Sequence, residues 1–279
     1  MIERHEQNGT IYYVYNDDKK LPTIVMIHGF RGTHHGLDLI ARNLDGYRII
    51  VPDLPGFGES QPLKVEHSVD NYVHWLGGFI GNLHLTKPPI LLGHSFGSII
   101  TSHYASRYPQ TISELILVNP IGAPALKGPK AVMTQAALVY YWLGRKLPEK
   151  VAFKLLSAKP IVMIMSISMA KTHDRKTRRY VHDQHLAHFS TFANREVVAE
   201  AFKASVNHTV REVARDIDLP TLLIVGDQDD ITPLNKQKEL AKLIKNTQLH
   251  IIEKVGHLTH YETPKSVADA IKQFTASSL

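Results

Sequence analysis

Seven short apolar, β-prone runs limit the fold more than any other feature. They lie at Thr10–Tyr15, Thr23–Ile27, 47–51, 89–92, Glu114–Val118, 221–225 and 249–252. The run Thr23–Ile27 reads TIVMI, with no polar residue alternating through it. That is the pattern of a strand covered on both faces. Between the runs lie stretches of helical spacing at 36–44, 69–83, Phe96–Arg107, 234–243 and 266–274. Strands that alternate with helices pair in parallel, because each helix carries the chain back across a face of the sheet. The expected core is therefore an α/β sandwich with helices on both faces.

One stretch breaks the alternation. From 121 to 206 no buried strand can be read, and Gly128-Pro129, Pro148 and Pro160 punctuate helical spacing. The expected organisation is a sheet domain made of 1–120 and 207–279, with a helical insertion at 121–206. Over 121–200 there are 13 Lys and Arg against 5 Asp and Glu, a net +8, while the whole chain carries +6. The remaining 199 residues thus sum to −2, and the basic balance belongs to the insertion. Nucleic-acid binding is not expected, since no recognition motif accompanies that excess.

The chain has no cysteine among its 279 residues, which excludes disulfides, thiolate metal sites and thiol catalysis, and leans toward a reducing compartment. Its first residues, MIERHEQNGT, are polar, unlike a secretory leader. The longest apolar run, 161–170, is half of what a membrane span requires. A soluble, cytoplasmic protein without stable membrane insertion is expected.

The chemistry-bearing motif is Gly93-His94-Ser95-Phe96-Gly97, set between an apolar strand and a helix. A serine on such a strand–turn–helix corner is held in a strained conformation and exposed to a ligand, with the helix N-terminus facing any negative charge that develops beside it. Serine is a weak nucleophile until a base takes its proton. Gly226-Asp227-Gln228-Asp229-Asp230 and Gly256-His257 each follow a later strand, so an acid and a histidine are available at the same sheet edge.

With these motifs in order, the sequence resembles the α/β-hydrolase superfamily over nearly its whole length, in the cap-bearing serine hydrolase branch. His28-Gly29-Phe30 resembles its oxyanion loop, Asp53-Leu54-Pro55-Gly56-Phe57-Gly58-Glu59-Ser60 its turn after the following strand, and Glu262-Thr263-Pro264 the continuation of its histidine loop. The resemblance implies a mostly parallel eight-stranded sheet with helices on both faces and the insertion as a cap. It implies Ser95 as nucleophile, His257 as base, Asp229 as its orienter, and the backbone N–H groups of Phe30 and Phe96 as oxyanion hole. His28, His94, Tyr141 and Trp142 are the candidate substrate-binding side chains. No cofactor is implied.

Asp227 and Asp230 compete with Asp229, and His260 with His257. His182, His185 and His188 recur every three residues near Asp183, a conceivable zinc site, yet the neighbouring Arg178 and Arg179 disfavour a cation and no metal is expected. The expected activity is hydrolysis of a small-molecule carboxylic ester with a small to medium apolar acyl group. A C–C bond hydrolase acting next to a ketone, or a non-catalytic receptor on the same scaffold, are the alternatives. A serine at position 95 argues against chemistry that needs a carboxylate nucleophile.

Overall fold

The computed structural model describes residues 2–124 and 131–276, with side chains of the second stretch described from Thr134 onward. Eight strands form one sheet: β1 (Ile2–Gln7), β2 (Thr10–Tyr15), β3 (Thr23–Ile27), β4 (Arg48–Pro52), β5 (Ile90–His94), β6 (Glu114–Val118), β7 (Thr221–Gly226) and β8 (Thr247–Ile252). Their spatial order is β1-β2-β4-β3-β5-β6-β7-β8. The β1–β2 and β2–β4 pairs are antiparallel, and every later pair is parallel.

Strand alternation divides the core. Val25, Ile27, Leu91, Leu115, Leu117, Leu223 and Val225 pack on one face, and Ile24, Met26, Leu92, Ile116, Val118, Leu222 and Ile224 on the other. Helices α1 (Asp38–Arg42), α2 (Val69–Asn82), α3 (Phe96–Arg107), α4 (Ala131–Lys146), α5 (Glu149–Leu156), α6 (Lys159–Met169), α7 (Arg175–His188), α8 (Arg195–Asn207), α9 (Leu234–Ala241), α10 (Thr259–Glu262) and α11 (Pro264–Ala276) complete the chain. Helices α2, α3 and α8 cover the first face, α1 and α11 the second. Helix α3 is buried from Phe96 to Ala105, because it runs between the sheet and a further helical layer.

Among the described residues, the five helices α4–α8 lie between β6 and β7. Asp174 caps α7 by accepting from the Thr177 N–H (2.8 Å), and Asn194 caps α8 by accepting from Val197 (2.9 Å). This segment is tied back to the sheet domain by an isolated bridge between Phe57 and Phe192, with Gly58 donating to the Thr191 carbonyl (2.9 Å) and Ala193 to that of Gly56 (2.8 Å).

Candidate active site

The C-terminal ends of β3, β5, β6, β7 and β8 lie side by side, and the loops leaving them carry the side chains singled out above. Ser95 follows β5 with φ +51°, a left-handed conformation that serine seldom adopts. Its neighbours must be small. A Cβ on Gly97 would sit 2.3 Å from the Ile27 carbonyl oxygen, and one on Gly93 would sit 2.5 Å from that of Gly97. Ser95 donates its backbone N–H to the Val118 carbonyl (3.1 Å), which pins the corner to β6.

Ser95 Oγ lies 2.9 Å from His257 Nε2, and His257 Nδ1 lies 2.7 Å from Asp229 Oδ2. A carboxylate can only accept, so the Nδ1–H donates to Asp229 and Nε2 is left to accept from the serine hydroxyl. The structure thus brings together Ser95, His257 and Asp229. Asp227 instead accepts from the Val255 N–H (3.4 Å), and Asp230 is exposed and paired with Lys171.

Asp229 is closely held. Its Oδ1 accepts from the N–H groups of Ile231 (2.8 Å) and Thr232 (2.9 Å), and its Oδ2 from Thr232 Oγ1 (2.5 Å) and Asn119 Nδ2 (2.9 Å). Burial pushes its carboxyl up. The facing His257 and the Thr232 hydrogen bonds outweigh that and hold it well below the usual carboxylate range. Asn119 escaped the sequence reading. It is fully buried just past β6, donates also to the Gly256 carbonyl (3.3 Å), and accepts from Thr259 Oγ1 (2.5 Å). One side chain therefore joins the acid loop to the histidine loop. An asparagine directly after a buried strand was its only sequence signal.

The loop after β3 closes against the serine. A Cβ on Gly29 would lie 3.2 Å from the Ser95 Cβ, so the Phe30 amide is carried to the serine's side. The Phe96 amide belongs to the first turn of α3, where no intrahelical carbonyl can reach it. Among the described residues, neither amide takes part in a backbone hydrogen bond of a turn, loop or cap. The Phe30 ring packs on Phe57 (6.1 Å), Tyr141 (5.7 Å) and Phe202 (5.5 Å), forming an apolar wall beside that loop.

Two of the candidate substrate-binding side chains face elsewhere. His28 is buried with both ring nitrogens engaged: one accepts from the Leu54 N–H (2.9 Å), the other donates to the Gly29 carbonyl (2.9 Å). It stitches two loops together and has nothing left for a ligand. Trp142 is 56% exposed on the outer side of α4. Tyr141 does belong to the site region, buried against Phe30 and Phe202. His94 lies behind His257, donating to its carbonyl (3.4 Å), and packs on His260 (4.0 Å between rings). Burial first, then His257, push His94 down to about 3. His260 is buried and does not contact Ser95 through any hydrogen bond.

Arg31, also missed, is almost wholly buried with φ +57°. Its guanidinium donates to the carbonyls of Phe189 (2.8 Å) and Leu156 (2.7 Å) and to Tyr141 Oη (3.4 Å). Those carbonyls end α7 and α5, where helix dipoles favour a cation. Arg31 therefore fastens the α4–α8 segment to the loop that carries Phe30.

The histidines of α7 do not converge on one point. His182 and His185 share the Ser166 hydroxyl (2.6 and 2.7 Å), and His188 stacks on His35 (3.9 Å). Among the described residues, His103, His208 and Glu212 do bring three ligand atoms within 4.8 Å. The Glu212 oxygens are already taken by Thr209 (2.6 Å) and His208 (2.9 Å).

A strained serine corner, a histidine and a buried acid at the ends of successive parallel strands agree with the family match. The sequence matches the alpha/beta hydrolase fold over residues 22–264. The chain belongs to the α/β-hydrolase fold family. It is 28% identical over 276 residues to Lipase 1 of Psychrobacter immobilis, covering 94% of this chain and 79% of that protein. To the human monoacylglycerol lipase ABHD6 it is 27% identical over 286 residues, covering 98% and 81%. A thermophilic esterase from Thermogutta terrifontis shares the fold with a TM-score of 0.76 at 22% identity, covering 99% of this chain and 98% of that one.

Proposed function

We propose that this α/β-hydrolase is an ester hydrolase that works through a serine acyl-enzyme. The observation that carries the reading is the hydrogen-bonded line Ser95 Oγ–His257 Nε2 (2.9 Å) and His257 Nδ1–Asp229 Oδ2 (2.7 Å) on a strained corner. Lipases and a monoacylglycerol lipase among its relatives agree with an ester as the bond cleaved.

In this reading His257 Nε2 takes the Ser95 proton as Oγ attacks the ester carbonyl. The oxyanion forms between the Phe30 and Phe96 amides, which have no loop or cap backbone partner among the described residues. His257 then protonates the leaving alcohol. Water, deprotonated by the same nitrogen, releases the acid from Ser95. Asp229 stays ionised throughout, because His257 and Thr232 hold its carboxyl low, and it steadies the imidazolium as it forms. The aromatic wall of Phe30, Tyr141 and Phe202 suits an apolar acyl group of small to medium length, with segment 121–206 acting as the cap over it.

A fluorophosphonate probe followed by a series of p-nitrophenyl esters tests this. Covalent labelling at Ser95 and turnover that peaks at short to medium acyl chains are expected. An unlabelled Ser95 together with no turnover of any ester overturns it.

A further inference from the structure

We propose that the outer face of helices α4, α5 and α6 docks on an anionic lipid surface. Among the described residues, twelve large apolar side chains are exposed, and seven of them lie on these three consecutive helices. Ile164 and Ile167 are 67% and 59% exposed on α6, and Trp142 and Val139 stand out from α4. Soluble surfaces seldom concentrate large apolar side chains in this way without a partner.

Charge selects the occupant. Residues 131–169 carry Arg145, Lys146, Lys150, Lys154 and Lys159 against the single acid Glu149. All five cations are exposed. Arg145 approaches Glu200 at 3.9 Å, and the four lysines make no ion pair among the described residues. Farther along the segment, Lys171 pairs with Asp230, and Arg178 donates to the Thr172 carbonyl. A second copy of the chain would bring the same positive face against itself, since a two-fold contact is self-complementary. Anionic headgroups turn those same charges into attraction while the acyl boundary accepts Trp142, Ile164 and Ile167.

Geometry selects docking over crossing. By length and composition, Glu149–Met169 could span a bilayer, with a mean hydropathy of 1.5 and only 22% of it buried. The run is longer than the sequence reading of 161–170 allowed. Yet it folds as two helices of 8 and 11 residues, parted at Ser157 and Ala158. At 1.5 Å per residue neither reaches across a hydrocarbon core of ~30 Å. Lysines 150, 154 and 159 along it hold it at the headgroups.

Flotation with vesicles of phosphatidylcholine, with and without about one third phosphatidylglycerol, is the test. The intact chain should bind the anionic vesicles, bind less as salt rises, and blue-shift its Trp142 emission. Replacing Lys150, Lys154 and Lys159 together by Gln should lower partitioning roughly a hundredfold. The double variant Ile164→Ser, Ile167→Ser should lower it by a similar factor. Both variants should keep an unchanged melting temperature and unchanged turnover of a soluble short ester. No binding to anionic vesicles overturns the proposal, as do variants that bind like the parent. A concentration-dependent dimer abolished by the isoleucine changes would also overturn it, in favour of a second copy. The readout is binding, so a failure of the ester reading would appear separately, as an unlabelled Ser95.

Discussion

Lowering the pH from 7.5 to 5 is expected to remove at least about 6 kcal/mol of folding stability, through histidines that the fold keeps neutral, three of which supply that sum. His67, His94 and His185 are buried, and burial pushes them down from 6.5 to about 4, about 3 and about 3; His257 deepens the fall at His94, and His182 at His185. In the unfolded chain these rings return to ~6.5. Between the two values the unfolded state holds more protons. The stability is therefore fully present above ~6.5 and is lost as the pH falls toward the folded values.

At pH 5 each ring is charged when unfolded and neutral when folded. That is about 1.5 pH units at 1.36 kcal/mol each, or about 2 kcal/mol per ring. The folded values drop out of this sum, because all three lie below 5. The fully buried Asp53 and Asp229 do not blur the window. Burial pushes Asp53 and Asp229 up, but hydrogen bonds from His34 and the facing His257, respectively, hold both below the usual range. Their contribution is present above the unfolded carboxylate value and fades only below ~4.

A loss of about 6 kcal/mol is comparable with the whole stability of many domains. Urea unfolding at pH 7.5, 6.5 and 5 measures it, with the slope against urea checked for constancy. The midpoint should drop steeply below pH 6.5, and His185→Gln should take away about 2 kcal/mol of the drop. A midpoint that stays flat between pH 7.5 and 5 refutes the reasoning.

Ser95→Ala should abolish fluorophosphonate labelling and cut kcat to the roughly 10³–10⁴-fold enhancement over water that oxyanion stabilisation and binding alone supply. Asp229→Asn should lower kcat by about 10⁴-fold by favouring the wrong histidine tautomer, while Asp227→Asn and Asp230→Asn stay within a few-fold; steady-state rates on one ester separate them, and equal losses in all three would contradict the assignment. Arg31→Met should cost about 3–5 kcal/mol by thermal or urea melts, because two carbonyls at helix ends lose a charged donor. Arg31→Lys should recover only part of it, since an ammonium lacks the fork that reaches both. A melt unchanged by Arg31→Met would rule out the fastening role.

Much of the core was legible because it depends on local pattern. The strands from β3 to β7 are runs of apolar residues buried on both faces, and such runs have few other ways to fold. β1 was not legible. IERHEQ is mostly exposed at the sheet edge, so no apolar alternation marks it, and only its pairing with β2 makes it a strand. The loop residues divide in the same way. Spacing favoured Asp229 among three nearby aspartates, but what sets it apart is a set of contacts to Asn119 and His257, 110 and 28 residues distant.

Helical phase explains the remaining misreading. Tyr141 and Trp142 are adjacent on α4, and each residue turns a helix by 100°. Only one of the two can face the sheet domain. Which one does is fixed by Phe30, Phe202 and Arg31 closing on Tyr141, contacts made across more than 60 residues of sequence. An aromatic pair inside a helical insertion therefore tells a reader that one member is buried, without saying which. The other member is then forced outward, and in this chain that leaves Trp142 exposed on the helix that also carries the exposed Val139, Arg145 and Lys146. The packing choice that buries Tyr141 against Phe30 and Phe202 is the same one that gives Trp142 to the surface proposed to meet lipid.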